Sequence, residues 1–173
     1  INFSYDGLYR RPYNLTQQPS PPPGCLIGPG KRGRIKFQSM SLSLQLQRHS
    51  VRSYSSEPLS AESINALKSA ITDINTHEAG MHIQLITDDP APFRGFTRSY
   101  GFFSGVRNYI AVVADTSFRH YRERAGFFGM QLSMRALELG LGSCFVSGTY
   151  STSNVSARVR VGQKLIYLIA LGH

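Results

Sequence analysis

Six apolar side chains follow one another in Tyr109-Ile110-Ala111-Val112-Val113-Ala114, and no other stretch limits the fold as tightly. Successive side chains of an extended strand leave on opposite faces, so this run needs apolar cover on both sides of a sheet. The rest of the chain has to supply that cover.

Two segments have the pattern of helices that could do so. Ser60, after Pro58-Leu59, is a good N-cap, Glu62 suits the first turn, and Ile64, Leu67, Ile71 and Ile74 fall on one face. In 123–139, Phe127, Met130, Leu132, Met134, Leu137 and Leu139 surround much of the circumference, which predicts a helix buried all round. Gly126 and Gly129 allow another backbone or a flat ligand to come close, and Gly140 is placed to end the helix in a left-handed cap. Met81–Thr87, Cys144–Val146 and Leu165–Leu171 read as strands. Leu42, Leu44 and Leu46 alternate as in a strand, yet Ser41 could cap a short helix ending near Arg48; both readings stay open. Asp88–Arg107, with two prolines and five aromatics, has the length of a lid or pocket wall. Gly101–Gly105, with Phe102 and Phe103, could form that wall. Strands and helices interleave, so the expectation is a layered α+β domain.

The 173 residues suffice for one domain with a real core. The net charge of +9 suggests nucleic acid until it is divided along the chain. Six basic residues against Asp6 give residues 1–40 a charge of +5, leaving +4 for the other 133. No aromatic platform or recognition helix accompanies Lys31–Lys36, so no nucleic-acid partner is expected. Pro19, Pro21, Pro22, Pro23, Gly24, Gly28, Pro29 and Gly30 prevent regular structure in the same stretch. Residues 1–40 thus read as a disordered or tag-derived leader, with Met40 a plausible start, and 41–173 as the folded domain. No apolar run approaches the roughly 20 residues that span a bilayer, so no membrane partner is expected. Cys25 and Cys144 are too few and too far apart for a disulfide framework, which makes a reducing, cytoplasmic location the default. Cys144 reads as a small buried hydrophobe. His77, His82 and His120 lack metal-ligand spacing, so no metal is expected.

Arg48-His49-Ser50-Val51-Arg52 packs two guanidinium groups, an imidazole and a hydroxyl into five residues. Guanidinium is a planar fork of donors matched to phosphate oxygens, and serine adds a neutral donor. Such a segment can hold a phosphate monoester, or it can be a solvated charged turn.

Three stretches together resemble the flavin-dependent nitroreductase family. They are Arg48–Arg52 with the Ser60 helix, Ala125–Gly148 with its Gly140-Leu141-Gly142 turn, and Leu165–Gly172. The resemblance implies an α+β layered sheet with helices on both faces and FMN bound at a homodimer interface. It implies that Arg48, His49, Ser50 and Arg52 hold the phosphate and ribityl chain, and that Phe145 and Val146 lie against the flavin ring. Ser147 and Gly148 would present backbone N–H groups to its N5/O4 edge, where a fixed donor stabilises growing negative charge. No protein side chain would be catalytic in itself. NADH or NADPH would serve as transient reductant, and a small organic molecule as electron acceptor, in a ping-pong cycle. A flavin-binding or cofactor-free module without turnover is the alternative. Thr76–Gly80 carries no match to the family's Asn- or Gln-containing contact. Family chains also continue past the last strand with basic residues toward the phosphate, whereas this one stops at Leu171-Gly172-His173, so that extension is expected to be missing.

Overall fold

A computed structural model describes residues 42–94 and 103–173. The leader, Cys25, Gly101 and Phe102 lie outside the described residues. The elements run α1 (Leu42–Gln47), α2 (Ala61–His77), β1 (Gln84–Ile86), β2 (Asn108–Asp115), α3 (Tyr121–Glu138), β3 (Gly142–Val146) and β4 (Gln163–Gly172). One-turn 3-10 helices at Ala91–Phe93 and Thr152–Asn154 complete them. The strands form one antiparallel sheet in the order β1-β2-β4-β3.

The apolar run is a central strand, as its pattern demands: Tyr109 to Ala114 are all fully buried between β1 and β4. Alternation sorts its side chains into two cores. Ile110, Val112 and Ala114 meet Leu67, Ile71 and Ile74 of α2 and Phe128, Leu132 and Ala136 of α3. Tyr109 and Ala111 join Leu168 and Ala170 of β4, with Tyr54, Phe93 and Val106, on the opposite face. The architecture is α+β. Among the described residues, α2 and α3 share one face. The other face is covered by Tyr54, by the short helix containing Phe93, and by Tyr150, Val155 and Ala157 beside the second one.

Ser60 caps α2 by accepting the Ser63 N–H at 3.1 Å, a contact worth about 1 kcal/mol. Asn75 ties that helix to the sheet, exchanging two 2.8 Å hydrogen bonds with the backbone of Ile83. Leu42–Gln47 is helical, which settles the open reading there. Gly140 takes the left-handed conformation at the end of α3 (φ 74°). Two expectations need correction. Met81–Thr87 is strand only over Gln84–Ile86, with Met81 reaching β2 by a single bridge to Ala114. And α3 is not buried all round: Phe127 is 54% and Met130 44% exposed. The apolar circumference was real, but only part of it faces the sheet.

Candidate functional site

Arg48–Arg52 does not project into solvent as a free turn. It runs parallel to β3, with Ser50 bridging Ser143 and the Val51 N–H donating to the Ser143 carbonyl at 3.1 Å. Gly142 is what lets the segment lie so close. A Cβ there would sit 2.8 Å from Val51 Cγ2, well inside contact distance. Further along, Tyr54 and Ser104 exchange backbone bonds with the segment: Tyr54 N–H to the Ser104 carbonyl, and Ser104 N–H to the Arg52 carbonyl, each 3.0 Å. The Tyr54 hydroxyl donates back to the Val51 carbonyl at 2.6 Å, and burial raises its pKa far above the ordinary phenol value. The polar motif is thereby pinned alongside the sheet.

This arrangement brings most of the expected residues together around two concave surfaces. Arg52 shares a cleft of about 530 Å³ with Phe145, Val146, Ser147 and Gly148, walled by Phe103. The size suits a small-molecule site, whose volumes run from about 300 to 1,000 Å³. Arg48 and His49 line a smaller groove of about 270 Å³, against Gly140–Ser143 and His173. Ser50 is exposed between Arg48 and Arg52 and lines neither. The pentapeptide is one motif in sequence and two half-sites in space.

The side chains differ in how they are held. Arg48 has its Nε 3.1 Å from Ser133 Oγ on α3, and its Cζ lies 5.4 Å from the Phe145 ring centroid, within cation–π range. Ser133 Oγ is in turn 2.7 Å from Ser143 Oγ, and both serines are buried. His49 is exposed, and its Nδ1 donates to the Gln47 carbonyl at 3.1 Å. Arg52 is exposed, and neither arginine is paired with a carboxylate among the described residues. Phe145 packs on Tyr167, centroids 5.3 Å apart. Val146 is 2% exposed and its side chain belongs to the second core, so it is not free to stack on a ligand. The Gly148 N–H finds no acceptor among the described residues, and a Cβ on Gly148 would meet nothing within 4 Å. Cys144 is buried, as its neighbours predict.

Two unneutralised guanidinium groups, an exposed hydroxyl, an unengaged backbone donor and an aromatic ring are the donor set for an anionic ligand with a flat part. Sequence reasoning missed Ser133, Ser143 and Tyr54, which hold the motif rather than extend it. A serine at position 133, among Leu132, Met134 and the buried turns of α3, was the one available sign. Among the described residues no cluster of His, Cys, Asp or Glu is arranged to hold a metal, and no helix is long and apolar enough to cross a membrane.

Comparison with known proteins gives this geometry a context. No curated protein sequence matches the chain. Solved structures do. An FMN-dependent nitroreductase from Clostridium difficile superposes with a TM-score of 0.61 at 18% identity, covering 77% of this chain and 87% of its own. A protein described as "Putative NADH dehydrogenase/NAD(P)H nitroreductase", from Parabacteroides distasonis, gives 0.57 at 21% identity over 76% and 84%. An oxidoreductase containing FMN gives 0.57 at 17% identity over 78% and 77%. At these identities the likeness establishes the fold. The family model described as "Putative TM nitroreductase" matches residues 44–173, nearly all of the domain including both half-sites. The chain belongs to the flavin nitroreductase family.

Proposed function

We propose that the chain is an FMN-dependent oxidoreductase that takes hydride from NADH or NADPH and delivers it to a small organic acceptor. The observation that carries this reading is the cleft in which Arg52 meets Phe145–Gly148, with the Gly148 N–H left without an acceptor among the described residues. The residues present fit the cofactor. Arg48 and the exposed Ser50 hydroxyl supply donors of the kind that a phosphate and ribityl chain require, His49 lies beside Arg48 in the smaller groove, and Phe145 and Phe103 supply aromatic surface in the larger cleft. Fold relatives described as FMN-dependent or as containing FMN support the same assignment.

When bound, FMN supplies the hydride chemistry; the protein supplies binding, orientation and charge. Arg48 and His49 would hold the cofactor's anionic end, and Arg52 would lie with its flat part. Ser147 and Gly148 offer backbone donors where negative charge develops, and a fixed donor costs no reorganisation when it does. Reductant and acceptor use the cleft in turn, which gives ping-pong kinetics. A second copy of the chain closes the site as a homodimer. Leu46 on α1 and Phe127 and Met130 on α3, all exposed apolar side chains, supply the contact. The reading places the protein in the cytoplasm, where reduced nicotinamide and a free thiol at Cys144 are both sustained.

The test is spectral. Purified protein should carry, or gain on FMN addition, the visible band of bound oxidised flavin, and anaerobic NADH or NADPH should bleach it. A protein that takes up no FMN sinks the proposal. One that binds FMN yet stays yellow with both reductants is a non-catalytic flavin module.

A further inference from the structure

Arg48 and Arg52 are alike in sequence and unlike in restraint. Arg52 is exposed and its side chain has no hydrogen-bond or ion-pair partner among the described residues, whereas Arg48 is gripped from the interior by Ser133. Arginine can meet a phosphate side-on, through Nε and one Nη, or end-on, through Nη1 and Nη2. In this structure Nε is committed to Ser133 Oγ at 3.1 Å, so the side-on mode is closed. Ser133 cannot drift, because its hydroxyl is 2.7 Å from Ser143 Oγ and its residue is fully buried on α3. Ser143 belongs to β3 and is the very residue that Ser50 bridges. The grip thus joins α3, β3 and the basic segment at one point. The Phe145 ring, 5.4 Å from Cζ, limits the remaining swing of the guanidinium.

We propose that Ser133 is a positioning residue for anion binding: it fixes Arg48 as an end-on fork facing the groove shared with His49 and His173. This rests on the flavin reading for the identity of the ligand, but not for the existence of the fork. Ser133 itself touches no ligand. Its contribution is to remove, before binding, the side-chain freedom that would otherwise be lost when the phosphate arrives. An ordered long side chain of this kind changes affinity by roughly 3- to 10-fold.

The experiment compares FMN with riboflavin, which lacks the phosphate, by fluorescence titration of wild type and Ser133→Ala. The expected result is an FMN affinity lower by about 3- to 10-fold with riboflavin affinity unchanged. Equal losses for both ligands mean a merely structural serine and overturn the proposal; so does an unchanged FMN affinity. In an Arg48→Ala background, Ser133→Ala should have no further effect on FMN, and a persisting effect overturns it. The ligand-free protein gives an independent readout in its 1H–15N spectrum. The Arg48 Nε–H should be protected from exchange in wild type and exposed in Ser133→Ala, with the Arg52 signal unchanged; an unprotected signal in wild type overturns the proposal. Should wild type bind neither flavin, the FMN reading falls by itself. Inorganic phosphate then decides the matter: an Arg48 Nε shift in wild type that weakens several-fold in Ser133→Ala supports the fork, and no difference between the two overturns it.

Discussion

Substituting Gly129→Ala tests how α3 meets the sheet beneath the site. In a helix interior this change ordinarily stabilises by about 0.5–1 kcal/mol, because glycine loses more backbone entropy on folding. Here the new Cβ would fall on the Tyr167 hydroxyl, 3.0 Å from Tyr167 Cζ and 3.2 Å from Phe145 Cε1. The hydroxyl cannot simply turn aside. It sits on a rigid ring, it donates to the Ala125 carbonyl, and that ring packs on Phe145. Overpacking costs about 1–3 kcal/mol, and losing the hydroxyl's hydrogen bond about 1 more. The helix gain is smaller than this, so Gly129→Ala should destabilise by about 1–3 kcal/mol. Urea midpoints at unchanged slope give the value directly. In a Tyr167→Phe background the main clash is gone, and the same substitution should cost close to nothing, a coupling of about 1–3 kcal/mol. Equal costs in the two backgrounds, or a stabilised Gly129→Ala, would refute the claim that the Tyr167 hydroxyl fills the space that Gly129 leaves open on α3.

Asn75→Ala should lower stability by about 2–3 kcal/mol in urea, since it strips both backbone bonds from the buried Ile83; a loss under a few tenths would mean the pairing contributes nothing. Asp89 provides a pH test. Burial alone would raise its pKa, but hydrogen bonds from Tyr109, Ser156 and the Ala91 N–H outweigh it and hold the carboxyl below its ordinary 3.8. A lowered folded value means that the stabilisation is complete above the ordinary pKa and is lost as pH falls through the folded one. The stability advantage of wild type over Asp89→Asn should therefore hold from about pH 7 to 5 and shrink toward about pH 3, and a pH-independent gap refutes it. Finally, Arg48→Ala should weaken FMN by about tenfold and spare riboflavin, whereas Arg52→Ala should weaken both ligands. Fluorescence titration decides, and interchanged behaviour refutes the assignment of the two half-sites.

Much of the fold was legible because single residues dictated local answers. The all-apolar Tyr109–Ala114 run had to be central, Ser60 had to cap, and Gly140 had to turn left-handed. The misreadings share one cause. A helical wheel shows that Phe127 and Met130 are apolar, but not whether a neighbour within the chain reaches them. Met81–Thr87 carries strand residues, but pairing partners decide how many of them are strand. In the site, the chemistry of Arg48–Arg52 could be read from residue types, whereas its division into two grooves could not. That division depends on bridges from Ser50 to Ser143 and from Ser53 to Ser104, which join residues about 50 to 90 positions apart. Local pattern carries no trace of them.

Those bridges also explain why the spacing of the motif matters. A segment held extended beside β3 advances about 3.3 Å per residue, so Arg48 and Arg52 stand roughly 13 Å apart along it. In a helix the same two positions would be neighbours one turn apart, about 5–6 Å, and could grip only one group. Extension turns the pentapeptide from a clamp into a ruler. One cation stands at each end and Ser50 between them, a span that suits an elongated ligand with its anion at one end and its flat part at the other. What keeps the ruler straight is not polar at all. Val51 lies in the space that Gly142 leaves open, and the Tyr54 hydroxyl holds the Val51 carbonyl from the far side. One structural residue stands among four functional ones, and the apolar member of Arg-His-Ser-Val-Arg is the one that sets where the other four can act.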